Sequence, residues 1–355
     1  MKAVVYHRYG TPDVLRLEEV DKPSPKDAEV LIRVRAAEAT KSDCELRSFN
    51  FPVKWFWLPL RLAFGIAKPR RPILGGYLAG EVEAVGKDVT KFKAGDRVFG
   101  SAGFQMGAYG EYVCLPESAT LVHMPAAMSF EEAAAIPLGG LNALHYLRRA
   151  RIQEGESVLV NGAGGSIGTF GVQIAKSMGA QVTAVDSGIK KEMLLAIGAD
   201  HFIDYTERDF TSGSERYDVI LDMVAGRGYS ACVNTLNPNG RYLMANPRFS
   251  YMFRSVVTSR FTNKQVLFAF AGEKVDELLA LKEMAEQGKL KSAIDRVYRF
   301  EQAAEAHERV ETEQRLGIVV LSDCGEGRLT QVPPTMCSFS VSNRHPPTVD
   351  RPRPG

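Results

Sequence analysis

The sequence predicts an α/β protein with a doubly wound parallel sheet beside a β-rich domain, and three observations carry that expectation. Residues Gly155 to Asp186 read in order as strand, glycine turn, helix, strand and acid, the layout of a dinucleotide-binding unit. Residues 1 to about 125 are short β-branched runs punctuated by proline and glycine. From about 126 onward, strand-length apolar runs alternate with helical ones.

Length and composition set the bounds. At 355 residues, 45% apolar and 24% charged, the chain exceeds one ordinary core and has the composition of a globular enzyme. Forty-four basic against forty-two acidic residues leave a net charge of +2, so no global field argues for a nucleic-acid partner. Cys44, Cys114, Cys232, Cys324 and Cys337 are odd in number and scattered, and the amino terminus has no charged-then-apolar leader. A reducing cytoplasm is the expected location.

In chain order, MKAVVYH, EVLIRVRAAE, GEVEAVG and YGEYVCL predict strands of the β-rich domain. Phe51 to Ile66, FPVKWFWLPLRLAFGI, is apolar and aromatic but carries Lys54 and Arg61 and is broken by Pro52 and Pro59, so it falls short of a membrane span. Three readings stay open for it: a membrane-surface helix, an aromatic lid, or one wall of an apolar substrate pocket. Ser129 to Arg149 predicts one helix, followed by strands near 157–161, 181–185, 201–203, 218–223, 240–245 and 265–270. Lys274 to Gln287 predicts a helix, after which VYRFEQAAEAHERVE and LGIVVLS return the chain to the first domain. The expected boundaries are 1–125 with 273–322 for the β-rich catalytic domain and 126–272 for the nucleotide-binding domain. Residues 323–355, with six prolines and no sustained apolar period, are expected to be a disordered tail.

The glycine turn can be read residue by residue. Gly162, Gly164, Gly165 and Gly168 leave few side chains in the way, so backbone can approach a pyrophosphate. A helix from about Ser166 places Gly168, Val172, Ala175 and Gly179 on one side and turns the first-turn amides of Ser166, Ile167 and Gly168 toward the phosphates, until Gly179 ends it. The spacing Gly162, Gly165, Gly168 is one residue longer than GxGxxG. Asp186 stands about twenty residues on, where a carboxylate binds an adenosine ribose hydroxyl.

The run GEVEAVGKDVTKFKAGDRVFG (Gly80 to Gly100), then AYGEYV and AAAIPLGGLNAL, resembles the medium-chain dehydrogenase/reductase superfamily, in particular its zinc-free quinone oxidoreductase branch. The resemblance covers about residues 1–322 and implies a GroES-like catalytic domain, a Rossmann nucleotide domain and a homodimer. Zinc-dependent alcohol dehydrogenases of this superfamily place a Cys where this chain has Thr40, and a His-Glu pair where it has Gly76 and Tyr77. A further Cys is missing from AIPLGGLNAL, and the four-cysteine loop is absent, so no metal is expected.

Without a Lewis acid, the acceptor has to tolerate the charge it gains. Reducing a simple ketone develops an alkoxide whose conjugate acid lies near about 15.7, whereas a quinone gives a phenolate-like oxygen near about 10. The difference, about 8 kcal/mol, favours quinones and α,β-unsaturated carbonyls as small apolar substrates, with hydrogen-bond donors worth about 3 kcal/mol each in place of the metal. The resemblance implies that Thr40, Asp43 and Tyr77 line the catalytic site with Ser42, and that Asn142 lies near the nicotinamide. Where relatives often carry Tyr this chain has Glu45, and where they commonly carry an acid it has Tyr77. Asp186 favours NAD(H), by repelling a 2′-phosphate. Ser187, Lys190, Lys191 and Tyr205 resemble the NADP(H) surround of quinone oxidoreductases, and two adjacent cations tip the expectation slightly to NADP(H). An alcohol or enoyl reductase, and a non-catalytic dinucleotide-binding or RNA-associated protein, remain as alternative readings.

Overall fold

Two sheets organise the chain. The computed structural model describes residues 1–51, 57–224, 228–245, 249–268 and 273–323. The expected tail, apart from Asp323, lies outside the described residues, as do Pro52 to Phe56 of the aromatic segment and the end of the strand expected near 265–270.

A hairpin of β1 (Lys2–Val5) and β2 (Arg16–Glu19) leads into β3 (Glu29–Ala39), which is buried on both faces along much of its length. Helix α1 (Lys41–Ser48) follows β3, and α2 (Trp57–Phe64) occupies the described part of the aromatic segment with none of its residues buried. β3 pairs antiparallel with β4 (Tyr77–Val85) and β6 (Tyr112–Pro116); β4 pairs with β5 (Arg97–Ser101), and β5 with β7 (Leu121–His123). This is the GroES-like, β-rich part of the fold.

Ser129 to Arg149 forms two helices, α3 (Phe130–Ala134) and α4 (Ile136–Ala150), where one helix is expected from sequence. Ser129 and Glu132 close a capping box on α3, and Pro137, which has no N–H to donate backwards, opens α4. Pro137 in the first turn therefore starts a new helix.

The Rossmann sheet is wholly parallel: β8 (Ser157–Asn161), β9 (Gln181–Asp186), β10 (His201–Asp204), β11 (Tyr217–Asp222), β12 (Leu236–Met244) and β13 (Gln265–Phe268) run in the order β10-β9-β8-β11-β12-β13. Val158, Leu159 and Val160 of β8 register with Val219, Ile220 and Leu221 of β11, and all six are fully buried, as a strand covered on both faces requires. Helix α5 (Ser166–Ser177) covers one face and is buried nearly all round, a wider contact than the single glycine-lined side expected from sequence. Its second cover is α4, which approaches so closely at Gly139 that a methyl there would meet Ser166 O at 2.4 Å. Gly179, at φ +84°, ends the turn after α5.

α6 (Lys191–Ala196), α7 (Tyr229–Asn234) and α8 (Phe249–Phe261) complete the crossovers. The chain then forms α9 (Val275–Glu286), β14 (Ile294–Arg299), α10 (Ala303–Glu311) and β15 (Ile318–Ser322). β15 pairs antiparallel with β3, so the last described strand joins the β-rich sheet that the first third of the chain began. Among the described residues no helix is long and apolar enough to cross a membrane.

Candidate functional site

The strand order reverses direction between β8 and β11, and the loop after β8 opens at that switch point, where the carboxyl ends of parallel strands leave a crevice. Gly162 (φ +80°) turns the backbone there, and a methyl at Gly168 would lie 2.3 Å from Gly162 O. Gly165 caps α5 with no side chain, so the first-turn amides of Ser166, Ile167 and Gly168 have no intrahelical acceptor. The Ser166 hydroxyl is buried beside the Glu38 carboxyl, whose charged form it favours. A glycine cradle and free helix amides fit a dinucleotide pyrophosphate.

The expected ribose and phosphate residues cluster at the end of β9. The Asp186 carboxylate accepts the Gly164 N–H at 2.7 Å and the Ser187 N–H at 2.8 Å, and lies 2.9 Å from Lys190 Nζ. Both members of that ion pair are buried, so Lys190 offsets the charge that Asp186 would turn on a 2′-phosphate. Lys191 and Tyr205 are exposed on the same rim, and Tyr205 N donates to Asp186 O. Asn142 donates from its amide to Leu138 O within α4.

Thr40, Asp43 and Tyr77 come together but perform different work. Thr40 Oγ1 donates to Asp43 Oδ2 at 2.6 Å and accepts the Asp43 N–H, while Asp43 Oδ2 accepts the Thr40 N–H, a reciprocal cap on α1. Asp43 Oδ1 accepts the Gly75 N–H at 3.1 Å and so ties α1 to the chain entering β4. Burial raises the Asp43 carboxyl, against the hydrogen bonds that lower it. Both residues are spent on the local fold. Tyr77, the first residue of β4, points its hydroxyl at Glu273 Oε1, 3.0 Å away. Ser101 Oγ donates to the other Glu273 oxygen at 2.6 Å, and Thr120 Oγ1 donates to Glu273 O. Glu273 lies after β13 of the Rossmann sheet, so the three donors tie it to the β-rich sheet. Burial, then the Glu273 charge, raises the Tyr77 phenol well above its ordinary value and keeps it protonated.

Glu38 and Glu273 are the residues that sequence reasoning missed. Glu38 falls in the buried phase of β3 with Val30, Ile32, Val34 and Ala36, and a charge at that parity was the available signal. Glu273 carried no local signal, since its partners come from three distant strands or turns. The Glu38 carboxyl is fully buried, and burial pushes it up to about 8 although the Ser166 hydroxyl and the Arg315 charge pull it down. His307 has its Nε2 3.0 Å from the Tyr109 hydroxyl, and burial pushes it down to about 3.

These two groups tilt stability in opposite directions. Glu38 keeps a proton that the unfolded chain releases above about pH 4.5, so its contribution is full below that value and is lost as pH rises toward about 8. His307 stays neutral where the unfolded chain protonates, so its contribution is full above about 6.5 and is lost as pH falls toward about 3. Between 6.5 and 8 Glu38 acts without the His307 counterweight. Wild type should lose about 2 kcal/mol relative to Glu38→Gln across that window, at about 1.4 kcal/mol per unit. Urea midpoints of the two apoproteins at each end check this, and a constant difference would show Glu38 ionised in the fold.

Among the described residues, no group of three or more His, Cys, Asp or Glu side chains is placed to hold a metal ion. Residues 26–126 match the family described as the alcohol dehydrogenase GroES-like domain, and residues 197–321 match the family described as zinc-binding dehydrogenase. The chain is 32% identical to a quinone oxidoreductase from Sus scrofa over 325 residues, covering 87% of this chain and 94% of the relative. It is 33% identical to a 2-methylene-furan-3-one reductase from Solanum lycopersicum, covering 90% and 79%. The solved structure of the quinone oxidoreductase from Coxiella burnetii superimposes with a TM-score of 0.80 at 28% identity, covering 91% of this chain and 99% of that one.

Proposed function

Because the chain belongs to the medium-chain dehydrogenase/reductase superfamily, in its quinone oxidoreductase-like branch, we propose that it is a zinc-independent NAD(P)H-dependent reductase of quinones or α,β-unsaturated carbonyls. The observation that carries the reading is the glycine cradle at the β8/β11 switch point, with the unpaired first-turn amides of α5 facing it. When bound, the nicotinamide supplies the hydride. The first turn of α5 would hold the pyrophosphate, and the nucleotide would lie between a 126–272 lobe and a lobe of 1–125 with 273–322.

Tyr77 is the catalytic donor of this reading: its neutral phenol gives a hydrogen bond to the acceptor oxygen as charge develops there. Thr40 and Asp43 act as positioning residues through the α1 cap. NADPH is preferred to NADH, because Lys190 neutralises Asp186 and Lys191 adds an exposed cation on the rim. A cytoplasmic homodimer is the expected state.

Oxidation of NADPH and NADH with 9,10-phenanthrenequinone and an enone, before and after chelation, tests the proposal. Turnover is expected to survive chelation and to be faster at limiting NADPH than at limiting NADH. Nucleotide binding without turnover of either acceptor would favour the non-catalytic reading.

A further inference from the structure

The outer face of α2 is a surface that the reductase reading leaves unused. Trp57, Leu58 and Leu62 are 46%, 60% and 54% exposed, and Ile66 just beyond is 65% exposed. Next to them lies Phe104, 78% exposed, with its ring 6.2 Å from that of Phe64. Apolar side chains gathered in this way mark an interaction surface. They are not waiting to fold inward, because the underside of the segment is already fixed. The Arg61 guanidinium stacks 3.8 Å over the Phe49 ring and 4.4 Å over Tyr9, and the Tyr9 hydroxyl donates to Gly65 O at 2.8 Å.

Charge decides the partner. No Asp or Glu occurs between Glu45 and Glu81, whereas Arg47, Lys54, Arg61, Lys68, Arg70 and Arg71 do. Lys68, Arg70 and Arg71 are exposed beside the apolar side chains. A second copy would bring like charges together, and a purely apolar partner would leave the cations without counter-charge. Tryptophan and leucine flanked by lysine and arginine match the boundary between acyl chains and anionic headgroups.

We infer that this face docks on an anionic lipid bilayer, with Trp57, Leu58, Leu62 and Phe104 at the acyl boundary and Lys68, Arg70 and Arg71 on the headgroups. The patch reaches the candidate site: a methyl at Gly103, the neighbour of Phe104, would lie 3.7 Å from Glu273 Oε2. Docking itself does not depend on the reductase reading and is measured without turnover.

Both tryptophans of the chain, Trp55 and Trp57, lie in this segment, so intrinsic emission reports it without a label. The full chain should co-sediment with equimolar phosphatidylcholine and phosphatidylserine vesicles and shift its emission to the blue, with weaker binding to phosphatidylcholine alone and at high salt. The triple variant Lys68→Glu, Arg70→Glu, Arg71→Glu should weaken partitioning at least about 100-fold, since each cation near an anionic leaflet contributes about fivefold. Leu58→Glu with Leu62→Glu should abolish the blue shift, and far-UV circular dichroism should match wild type for both variants. Unchanged emission with anionic vesicles, or equal binding by wild type and both variants, would overturn the inference. So would a wild-type dimer that the same variants dissociate, which would assign the face to a second copy.

Discussion

Gly168→Ala is expected to weaken NADPH binding by about 100-fold or more, because its methyl has no room that a side-chain movement can make. The added carbon would stand 2.3 Å from Gly162 O and 2.6 Å from Ala163 Cα and its carbonyl carbon, all backbone of the turn that faces the phosphates. Relief requires the first turn of α5 to move away from that loop, which carries the amides out of line. Overpacking of this kind costs up to about 3 kcal/mol, or about two decades in affinity. Gly165→Ala is the control in the same loop, since its methyl would meet nothing nearer than 3.7 Å and its φ of −86° suits any residue. It should keep the wild-type melting temperature and weaken NADPH only about tenfold, by crowding the pyrophosphate itself. Fluorescence titration with NADPH, alongside thermal melts, separates the two. Equal affinity for Gly168→Ala and wild type would place the dinucleotide elsewhere.

The parts of this molecule that could be read from sequence were those whose chemistry is local. The cradle, α5 and the two strands beside it follow from glycine positions and unbroken apolar runs, which need no distant partner to be understood. The pattern at Thr40 to Asp43 was equally local, yet it is the signature of a helix cap, and the resemblance drew it toward the chemistry first. Pro137 divided an expected helix for an equally local reason. Asp186 and Lys190 stand four residues apart, but only the turn between β9 and α6 brings their charges to 2.9 Å and buries them. Glu273 could not be read at all. Its meaning comes from Tyr77, Ser101 and Thr120, which are between 153 and 196 residues away in the chain.

Tyr77→Phe should lower kcat on a quinone by about 100-fold, with little change in nucleotide affinity or melting temperature. The size follows from the fate of a neighbouring donor. Thr40 Oγ1 gives its proton to Asp43 inside the α1 cap, so it is not free to replace the phenol. Tyr77 holds its proton firmly because burial and the Glu273 charge both oppose phenolate. That makes it a hydrogen-bond donor to the growing oxyanion, with Glu273 accepting the same proton until an acceptor oxygen competes for it. The fold has little reason to change, since the ring remains and Glu273 keeps its bonds from Ser101 and Thr120. Steady-state rates with saturating NADPH, set against melts of the two proteins, distinguish a donor from a structural tyrosine. A loss of melting temperature with kcat intact would make Tyr77 a strut between the sheets, and the oxyanion donor would then have to come from outside the α1–β4 corner.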